Sequence, residues 1–405
     1  MQYNTKRSRT IRHWLPTIII ACLAAASFSG CAPTQKVAEE GTAFFPPPPN
    51  PPRVQFLKAF GNSRDVENKK DEFSLFATSI QESEKVKFIT KPYGIATSGS
   101  KIYVTDTIAG KVAVVDLANQ TFDWLKGDFG PGNLKKPVNV AVDKDGNLYV
   151  ADTVRLKVLK YDPDGNFLRS YGELYDLKPV DVGVYEDKLY VLDFSKSDIK
   201  VFDTNSGDLI ESLGQGAENP EDNLSLPTNL AIDGDGNLFV SNITTGKIVK
   251  LDRDGHVLES FGELGDAYGQ FSRPKGLAVD EQGRLYVVDT AYQNVQMFNE
   301  KGQLLMFFGG PDVPVGNMNL PAGITVSRDN LAYYQTLADP SFELEQVIFV
   351  TNQVGDNMKV GIYGFGKKKD FDYDKWLKER QDEIEQARLK KKQLEEKERQ
   401  KEDSK

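Results

Sequence analysis

One pattern recurs along most of this chain and constrains the fold more than any other feature of the sequence. It occurs six times, the last time in a stretched form: Lys91–Gly127, Lys136–Gly172, Lys178–Gly214, Leu226–Gly262, Arg273–Gly309 and Leu320–Gly366. The prolines that open the copies, Pro92, Pro137, Pro179, Pro227, Pro274 and Pro321, are spaced 45, 42, 48, 47 and 47 residues apart. We therefore expect six similar structural units in tandem.

Each copy contains four short runs of residues that favour β-strands. In the second copy the runs are VNVAVD, NLYVAD, KVLKYD and FLRSYG, separated by turn sequences such as D-K-D-G and D-P-D-G. This alternation predicts a four-stranded antiparallel meander. A period of about 40–50 residues with four strands per copy is typical of a propeller blade. The sequence therefore predicts an all-β, six-bladed β-propeller over residues 53–366.

The sixth copy lacks a fourth strand, and a segment near the N-terminus is a candidate to replace it. The sixth copy supplies Ile324–Ser327, Gln346–Asn352 and Lys359–Gly366. Arg53–Gly61, RVQFLKAFG, resembles the fourth-strand segment HVLESFG at His256–Gly262. We expect Arg53–Gly61 to pair as the outer strand of blade six, because a ring that does not close leaves strand edges exposed.

Residues 1–30 have the organisation of a cleaved secretory signal. Lys6, Arg7, Arg9 and Arg12 precede the apolar run Leu15–Phe28, which is too short for a permanent membrane span. Ser29, Gly30 and Cys31 resemble a bacterial lipobox, although Phe28 stands where Leu is usual. The resemblance implies acylation of Cys31, for example with palmitate, and Ala32 after it implies the outer membrane. The alternative is an ordinary signal peptide that is cut nearby.

Two segments outside the repeats have their own character. Residues 31–52 are rich in proline from Pro46 onward, which predicts an extended polyproline II tether or, alternatively, a docking motif. Lys367–Lys405 contains 14 Lys and Arg and 12 Asp and Glu residues, which predicts a charged helix that is solvated or binds a partner as a coiled segment. Between the closing strand and blade one, Phe73, Phe76, Ala77 and Ile80 predict a short amphipathic helix.

The repeat resembles the NHL repeat. Its motif P-x-G-[IVL]-A-V-D is found at Pro274–Asp280, and G-x-L-Y-V-x-D-T is found at Gly146–Thr153 and Gly283–Thr290. The resemblance covers about Arg53 to Gly366 and implies the propeller fold. It does not specify a function, because propellers host many activities.

Charge and composition exclude some functions of NHL relatives. The leader contributes +4 and the tail +2 to the net charge of −9, so residues 31–366 carry −15. This balance opposes RNA binding, which needs a basic surface. The chain has two histidines, His13 in the signal and His256 beside a turn, and two cysteines, Cys22 in the signal and Cys31 at the lipidation site. A histidine-ligated zinc centre or a Ser-His or Cys-His nucleophile therefore lacks its residues.

Three polar residues stand where the repeat prefers glycine. Asn139, Asp181 and Asn229 each lie two places after an opening proline, in three consecutive blades and near the expected channel mouth. Oxygen ligands of this kind suit calcium. In lactonase-type propellers such ligands hold the catalytic metal, so a calcium-dependent lactonase or gluconolactonase-like hydrolase is the alternative function. The competing interpretation is that these residues are hydrogen-bonded lining of a wet channel. The D-x-D-G segments lack the EF-hand glycine position and are interpreted as hairpin turns.

The remaining interpretation is a binding propeller without catalysis. Exported lipoproteins of this type, with an ending like Tyr363–Gly366, resemble those found with multihaem cytochrome systems, so an exported protein partner such as a c-type cytochrome is expected. The chain has no C-x-x-C-H haem motif of its own. We expect contact through the connections between blades, where the copies differ most: Gly127–Lys136, Gly214–Leu226, Gly262–Arg273 and Gly309–Leu320.

Overall fold

The computed structural model describes residues 43–67, 86–355 and 358–402 of the 405-residue chain. The signal segment, Cys31, the first part of the proline-rich segment and the predicted helix around Phe73–Ile80 lie outside the described residues.

The described chain forms an all-β propeller of six blades, as predicted. Blades one to five are four-stranded sheets of strands consecutive in sequence. Blade one consists of β3 (Pro92–Ser98), β4 (Lys101–Asp106), β5 (Lys111–Asp116) and β6 (Thr121–Trp124), and blade two of β7 (Pro137–Val142), β8 (Leu148–Asp152), β9 (Lys157–Tyr161) and β10 (Phe167–Tyr171). Blade three consists of β11 (Pro179–Tyr185), β12 (Lys188–Asp193), β13 (Asp198–Asp203) and β14 (Leu209–Leu213), and blade four of β15 (Pro227–Ile232), β16 (Leu238–Asn242), β17 (Lys247–Leu251) and β18 (Val257–Phe261). Blade five consists of β19 (Pro274–Val279), β20 (Leu285–Asp289), β21 (Asn294–Phe298) and β22 (Leu304–Gly309).

The core lies between neighbouring blades rather than inside any one of them. Every residue of the second strand of blade two, β8, is buried, because both faces of that strand are covered. Tyr149 on this strand belongs to one apolar cluster with Val182 and Val191 of blade three. Burial of a large apolar side chain contributes about 1.5–3 kcal/mol. The blades therefore stabilise one another, which explains why the repeat occurs as a ring.

Blade six joins the two ends of the chain. Its sheet has the order β1 (Phe44–Phe45), β2 (Val54–Phe60), β25 (Val360–Lys368), β24 (Phe342–Asn352) and β23 (Pro321–Ser327). Strand β2 pairs antiparallel with β25 from Val54 opposite Phe365 to Phe60 opposite Val360. The sequence places Arg53–Gly61 beside the last strand, and the structure does the same. It differs in one respect: β2 is the fourth strand but not the outer one, because β1 pairs along its other edge.

Arg53 fastens this junction. Its Nε donates to the carbonyl oxygen of Gly366 at 2.7 Å, and its guanidinium lies 3.3 Å from a carboxylate oxygen of Glu345. The same guanidinium lies over the ring of Phe365, 4.6 Å from its centroid. A single side chain therefore links the N-terminal strand to both C-terminal strands of the blade.

The structure contradicts the extended tether for residues 43–52. The chain turns back between β1 and β2, and the Arg53 amide donates to the Phe45 carbonyl oxygen at 2.7 Å. The Phe45 side chain is buried and packs against Phe308 of blade five, with 6.2 Å between ring centroids. The burial of the Phe45 side chain therefore outweighs the preference of the prolines for an extended chain. The composition of the segment does not predict this burial.

Helices are few in the described ranges. A short helix, α1 (Leu331–Gln335), lies in the blade-six insertion, and a long helix, α2 (Tyr373–Glu402), follows the last strand. Single 3-10 turns occur at Ser63–Asp65, Gly130–Gly132 and Pro220–Asp222. Leu377, Ile384 and Leu389 of α2 are exposed, in agreement with a charged helix that has little to bury. No helix in these ranges is both long and apolar enough to cross a membrane.

The meander places its loops on two opposite faces of the ring. The connection from the previous blade leads into the start of each first strand at one face. The second strand runs antiparallel to the first, so it ends at this same face. We call this the mouth face; it carries the connections between blades and the loops between second and third strands. We call the opposite side the turn face, and it carries the hairpins after first and third strands, including the four D-x-D-G turns.

Candidate functional site

The axial channel is narrow. Its cavity has a volume of about 240 Å³ and is lined by the first strands of all six blades. One aliphatic residue from each blade contributes to the wall: Ile95, Val140, Val182, Leu230, Leu277 and Ile324. Ligand pockets in proteins usually enclose about 300–1,000 Å³. The channel therefore accommodates only a small group below its mouth.

The first strands carry a register irregularity at the mouth, and it differs between two sets of blades. In blades two, three and four the pairing shifts between the opening proline and Asn139, Asp181 or Asn229. In blades one, five and six the pairing resumes one residue later, after a glycine: Gly94, Gly276 or Gly323. We call blades two to four the polar half of the mouth and blades five, six and one the glycine half.

The three residues of the predicted calcium site lie in the polar half and line the same cavity. Asn229 Nδ2 donates to Asp181 Oδ2 at 3.0 Å, and the Leu230 amide donates to the same oxygen at 2.9 Å. Asn139 Nδ2 donates to the Val180 carbonyl oxygen at 2.9 Å. Each of these bonds joins one blade to the next. The structure thus brings Asp181 and Asn229 into contact and engages Asn139 with blade three.

Asp181 is a buried acid. The Val182 amide donates to its second carboxylate oxygen at 2.8 Å. Burial raises the pKa of Asp181 to about 7, although its three hydrogen bonds act to lower that pKa. The carboxyl group is therefore neutral in a large fraction of molecules near neutral pH.

Similar bonds close the other junctions of the ring, and sequence reasoning missed them. Hydroxyl groups donate to a first-strand carbonyl oxygen of the next blade in four places: Thr105 to Val138 at 2.8 Å, Thr228 to Pro274 at 3.3 Å, Thr290 to Pro321 at 2.7 Å and Thr351 to Tyr93 at 2.6 Å. All six blade junctions thus carry a side-chain hydrogen bond near the mouth. Thr105 and Thr351 occupy the same place in their repeats, and the hydroxyl of each also accepts from the glycine amide of its own blade. The shared occurrence of this threonine and this glycine in two copies is the sequence signal that could have identified the bonds.

In the glycine half the backbones approach closely. A Cβ atom on Gly323 would lie 2.2 Å from the Tyr93 carbonyl oxygen, and one on Gly276 would lie 2.4 Å from the Ala322 carbonyl oxygen. Such distances are too short for any real side chain. Glycine is therefore required there by contact with the next blade.

The acids that end second strands fix the connections between blades. Asp152 accepts from the amides of Lys135 and Lys136 before its blade and from those of Val154 and Arg155 after it. Asp106 and Asp289 make the equivalent bonds in blades one and five. These buried carboxylates have structural partners, which accounts for their place in the repeat.

One D-x-D-G turn brings three potential metal ligands together. Oxygen and nitrogen atoms of Asp252, Asp254 and His256 lie within 4.8 Å of one another, the one such group within the described ranges. Asp254 and His256 are exposed, and Asp252 accepts from both of their amides. The arrangement is that of a hairpin turn, in agreement with the interpretation of these segments.

Comparison with known proteins supports the fold and goes no further. No protein-family model matches the chain. A protein of unknown function from Bacteroides thetaiotaomicron is 17% identical, with 77% of this chain and 75% of that chain covered and a TM-score of 0.52. A gluconolactonase from Xanthomonas campestris is 16% identical, with 80% and 97% covered and a TM-score of 0.51. At this identity the similarity shows a shared six-bladed propeller fold and leaves the function of this chain open.

Proposed function

We propose that this protein is a membrane-tethered propeller without catalytic activity that docks an exported protein partner, with a multihaem c-type cytochrome as the candidate. Lipidation at Cys31 and residence at the outer membrane are parts of this proposal. One observation supports it above the others: exposed apolar side chains are concentrated on the mouth face.

The distribution of these side chains is one-sided. In the loops of the described chain, every exposed large apolar residue lies on the mouth face: Phe88, Ile108, Phe129, Val154, Leu156, Leu174, Tyr175, Leu226, Leu264, Tyr268, Leu320 and Val354. Leu174 and Tyr268 are 91% and 81% exposed. Aromatic and large aliphatic residues of this kind are typical anchors of protein interfaces. Five of the twelve fall in the inter-blade connections that the sequence predicts as the contact surface.

The turn face has the opposite character. Asp145, Asp164, Asp235 and Asp254, one from each D-x-D-G turn, are exposed there. The net charge of −15 over residues 31–366 favours encounter with a basic partner, while the apolar mouth face supplies the contact. Steering of this kind weakens as salt is added.

The test is affinity purification of the tagged, full-length protein from envelope extracts with variants of each region. Tyr268→Ser and Leu174→Ser should lose a partner that the wild type retains at low salt. Leu258→Ser is the matched control, because Leu258 is about half exposed but lies on the outer strand β18. A variant without Lys367–Lys405 shows whether α2 takes part. Equal recovery of the partner by all variants contradicts the assignment of the mouth face.

The anchor is tested separately. Cys31→Ser should move the protein from the membrane fraction to the soluble envelope fraction and remove the lipid mass from its N-terminal peptide. Unchanged partitioning with no lipid on that peptide contradicts the lipoprotein assignment.

A calcium-dependent lactonase is the second candidate, and one atom favours it. The Oδ1 atom of Asn229 is buried and has no hydrogen-bond partner. It lies beside Asp181, so a cation there would satisfy this oxygen and the carboxylate together. Both oxygens of Asp181 already accept N–H bonds, which leaves few free ligands. If calcium raises the Tm of the wild type but not of Asp181→Ala, and a lactone panel is hydrolysed, the hydrolase replaces the docking platform.

A further inference from the structure

Three cationic side chains lie near one another on the mouth face, in the glycine half, and have no ion-pair partner among the described residues. Lys275 is the second residue of β19 in blade five and is partly buried. Its Nζ lies 5.0 Å from the centroid of the Tyr93 ring, which belongs to blade one. Blade six stands between these two blades. Its residue at the equivalent position is Ala322, a fully buried small side chain, so the lysine can extend past it.

Two more cations stand two residues from this contact: Lys91 precedes Tyr93, and Arg273 precedes Lys275. Lys91 and Arg273 each stand directly before the opening proline of their blade, and both are exposed on the mouth face. Burial, and then the charges of Arg273 and Lys91, lower the pKa of Lys275 to about 8. The charges of Arg273 and Lys91 therefore act on the ammonium group of Lys275.

Within the described chain none of the three has a carboxylate within ion-pair distance, and none donates a side-chain hydrogen bond. Other half-buried lysines of the propeller behave differently. Lys157 lies 2.5 Å from Glu173, and Lys200 lies 2.5 Å from Asp198. In an acidic protein, neighbouring cations that have no carboxylate partner among the described residues need an explanation.

The nearby acids do not supply the missing charge. Asp106 and Asp289 end the second strands of the two blades that contribute the cations, and they are fully buried. Their oxygens accept backbone amides, including those of Lys91 and Arg273. They accept hydrogen bonds from the backbone of the cluster and do not pair with its side-chain ammonium and guanidinium groups.

We propose that Lys91, Arg273 and Lys275 form a binding site for the carboxylate or phosphate group of a small ligand at the mouth of the channel. Cations that share one oxyanion give stronger hydrogen bonds than neutral donors do. Across the mouth, Asn139, Asp181 and Asn229 present polar groups and one acid. A ligand that places its anionic group on the glycine half and uncharged polar groups on the polar half matches both sides. A ligand with a second anionic group on the polar half does not match, because that group would face the carboxyl group of Asp181.

The test is a titration of the full-length protein at constant ionic strength, with chloride replaced by inorganic phosphate in one arm and by acetate in the other. Binding is followed by the rise in Tm and by calorimetry. We expect a saturable response to at least one anion, and the arm that responds identifies the chemistry of the ligand group. Lys275→Met should weaken that binding by at least about tenfold, because a charged hydrogen-bond donor is lost.

Lys178→Met is the matched control. Lys178 also stands before an opening proline on the mouth face, and its Nζ lies 5.1 Å from the centroid of the Phe194 ring in blade three. This variant should bind as the wild type does. As a second readout, acetic anhydride labelling of Lys275, measured by mass spectrometry, should slow when the anion is present.

No response of the wild type to either anion overturns the site, and so does an equal response of Lys275→Met. These results do not depend on whether a protein partner docks on the mouth face. Failure of the anion site therefore leaves the docking proposal standing, and the reverse also holds.

Discussion

The polar half and the glycine half of the channel mouth solve the same structural problem in different ways. In blades two and three the side chain two places after the proline reaches the next blade by a hydrogen bond, through Asn139 and Asp181. In blades six and one a glycine lets the next backbone approach, and Thr351 or Thr105 of the second strand makes the bond instead. The polar residues that stand out in the sequence thus have a structural task.

This comparison changes how an unusual residue in a repeat is interpreted. A departure from the repeat pattern attracts attention as a functional site, and Asn139, Asp181 and Asn229 are such departures. In the structure they replace the Thr–Gly arrangement of other blades. Lys275 stands out less in the sequence, yet within the described residues its ammonium group contacts the Tyr93 ring and has no hydrogen-bond or ion-pair partner.

The largest effect concerns blade six, which belongs to the glycine half and is completed by the N-terminal strand. Removal of residues 43–61 should abolish cooperative unfolding. The edge of β25 would lose its partner strand, and the buried side chains of Phe45 and Phe60 would be missing from the core. A variant that starts at residue 43 is the control, and thermal unfolding is the measurement. A truncated chain that melts as sharply and as high as this control would contradict closure by β2.

The polar half should respond to pH through Asp181. Its folded-state pKa of about 7 is above the ordinary value of 3.8, so the folded state holds the proton more tightly than the unfolded state does. The contribution of protonated Asp181 to the free energy of unfolding is therefore complete below about pH 4 and is lost as the pH rises to about 7. Relative to Asp181→Asn, the wild type should lose on the order of 3 kcal/mol of unfolding free energy between pH 4.5 and 8, measured by urea denaturation. A difference that does not vary with pH contradicts a buried acid at this junction.

The glycine half should tolerate no side chain at the close approach. Gly323→Ala places a Cβ against the backbone of Tyr93 and should cost about 2–3 kcal/mol of unfolding free energy. Gly234→Ala is the matched control, because a Cβ there has no atom within 4 Å. We expect that control to be neutral or slightly stabilising. Equal effects of the two substitutions would show that blades six and one are not in close contact.

The smallest expected effect is the difference in unfolding free energy between two variants that each lose a threonine hydrogen bond between blades. Thr351→Val removes the bond to the Tyr93 carbonyl oxygen at 2.6 Å and the one from the Gly323 amide at 2.8 Å. It should cost about 1–2 kcal/mol. Thr228→Val removes a longer bond of 3.3 Å to the Pro274 carbonyl oxygen and a bond of 2.9 Å to the Ser241 hydroxyl. It should cost less, because the Ser241 hydroxyl still accepts from the Asn229 amide at 3.1 Å. The reverse order, measured by urea denaturation, would contradict the ring of inter-blade bonds.

The repeat made the architecture predictable, because period, strand patterns and turns all pointed to the same unit. The missing fourth strand was also predictable, since RVQFLKAFG matches the fourth strands of other copies. The return of residues 43–52 onto the blade was not, because it depends on a pocket for Phe45 formed by residues distant in sequence. The reach of Lys275 to Tyr93 was hidden for the same reason: it requires the small Ala322 on an intervening blade.

The most direct test of the central claim is hydrogen–deuterium exchange of the propeller alone and with its captured partner. We predict slower exchange in the connections of the mouth face, above all 214–226 and 262–273, where Leu226, Leu264 and Tyr268 are exposed. Exchange in the turn-face hairpins at 143–147 and 233–237 should not change. Protection confined to the turn face, or spread evenly over both faces, would contradict docking through the apolar mouth face.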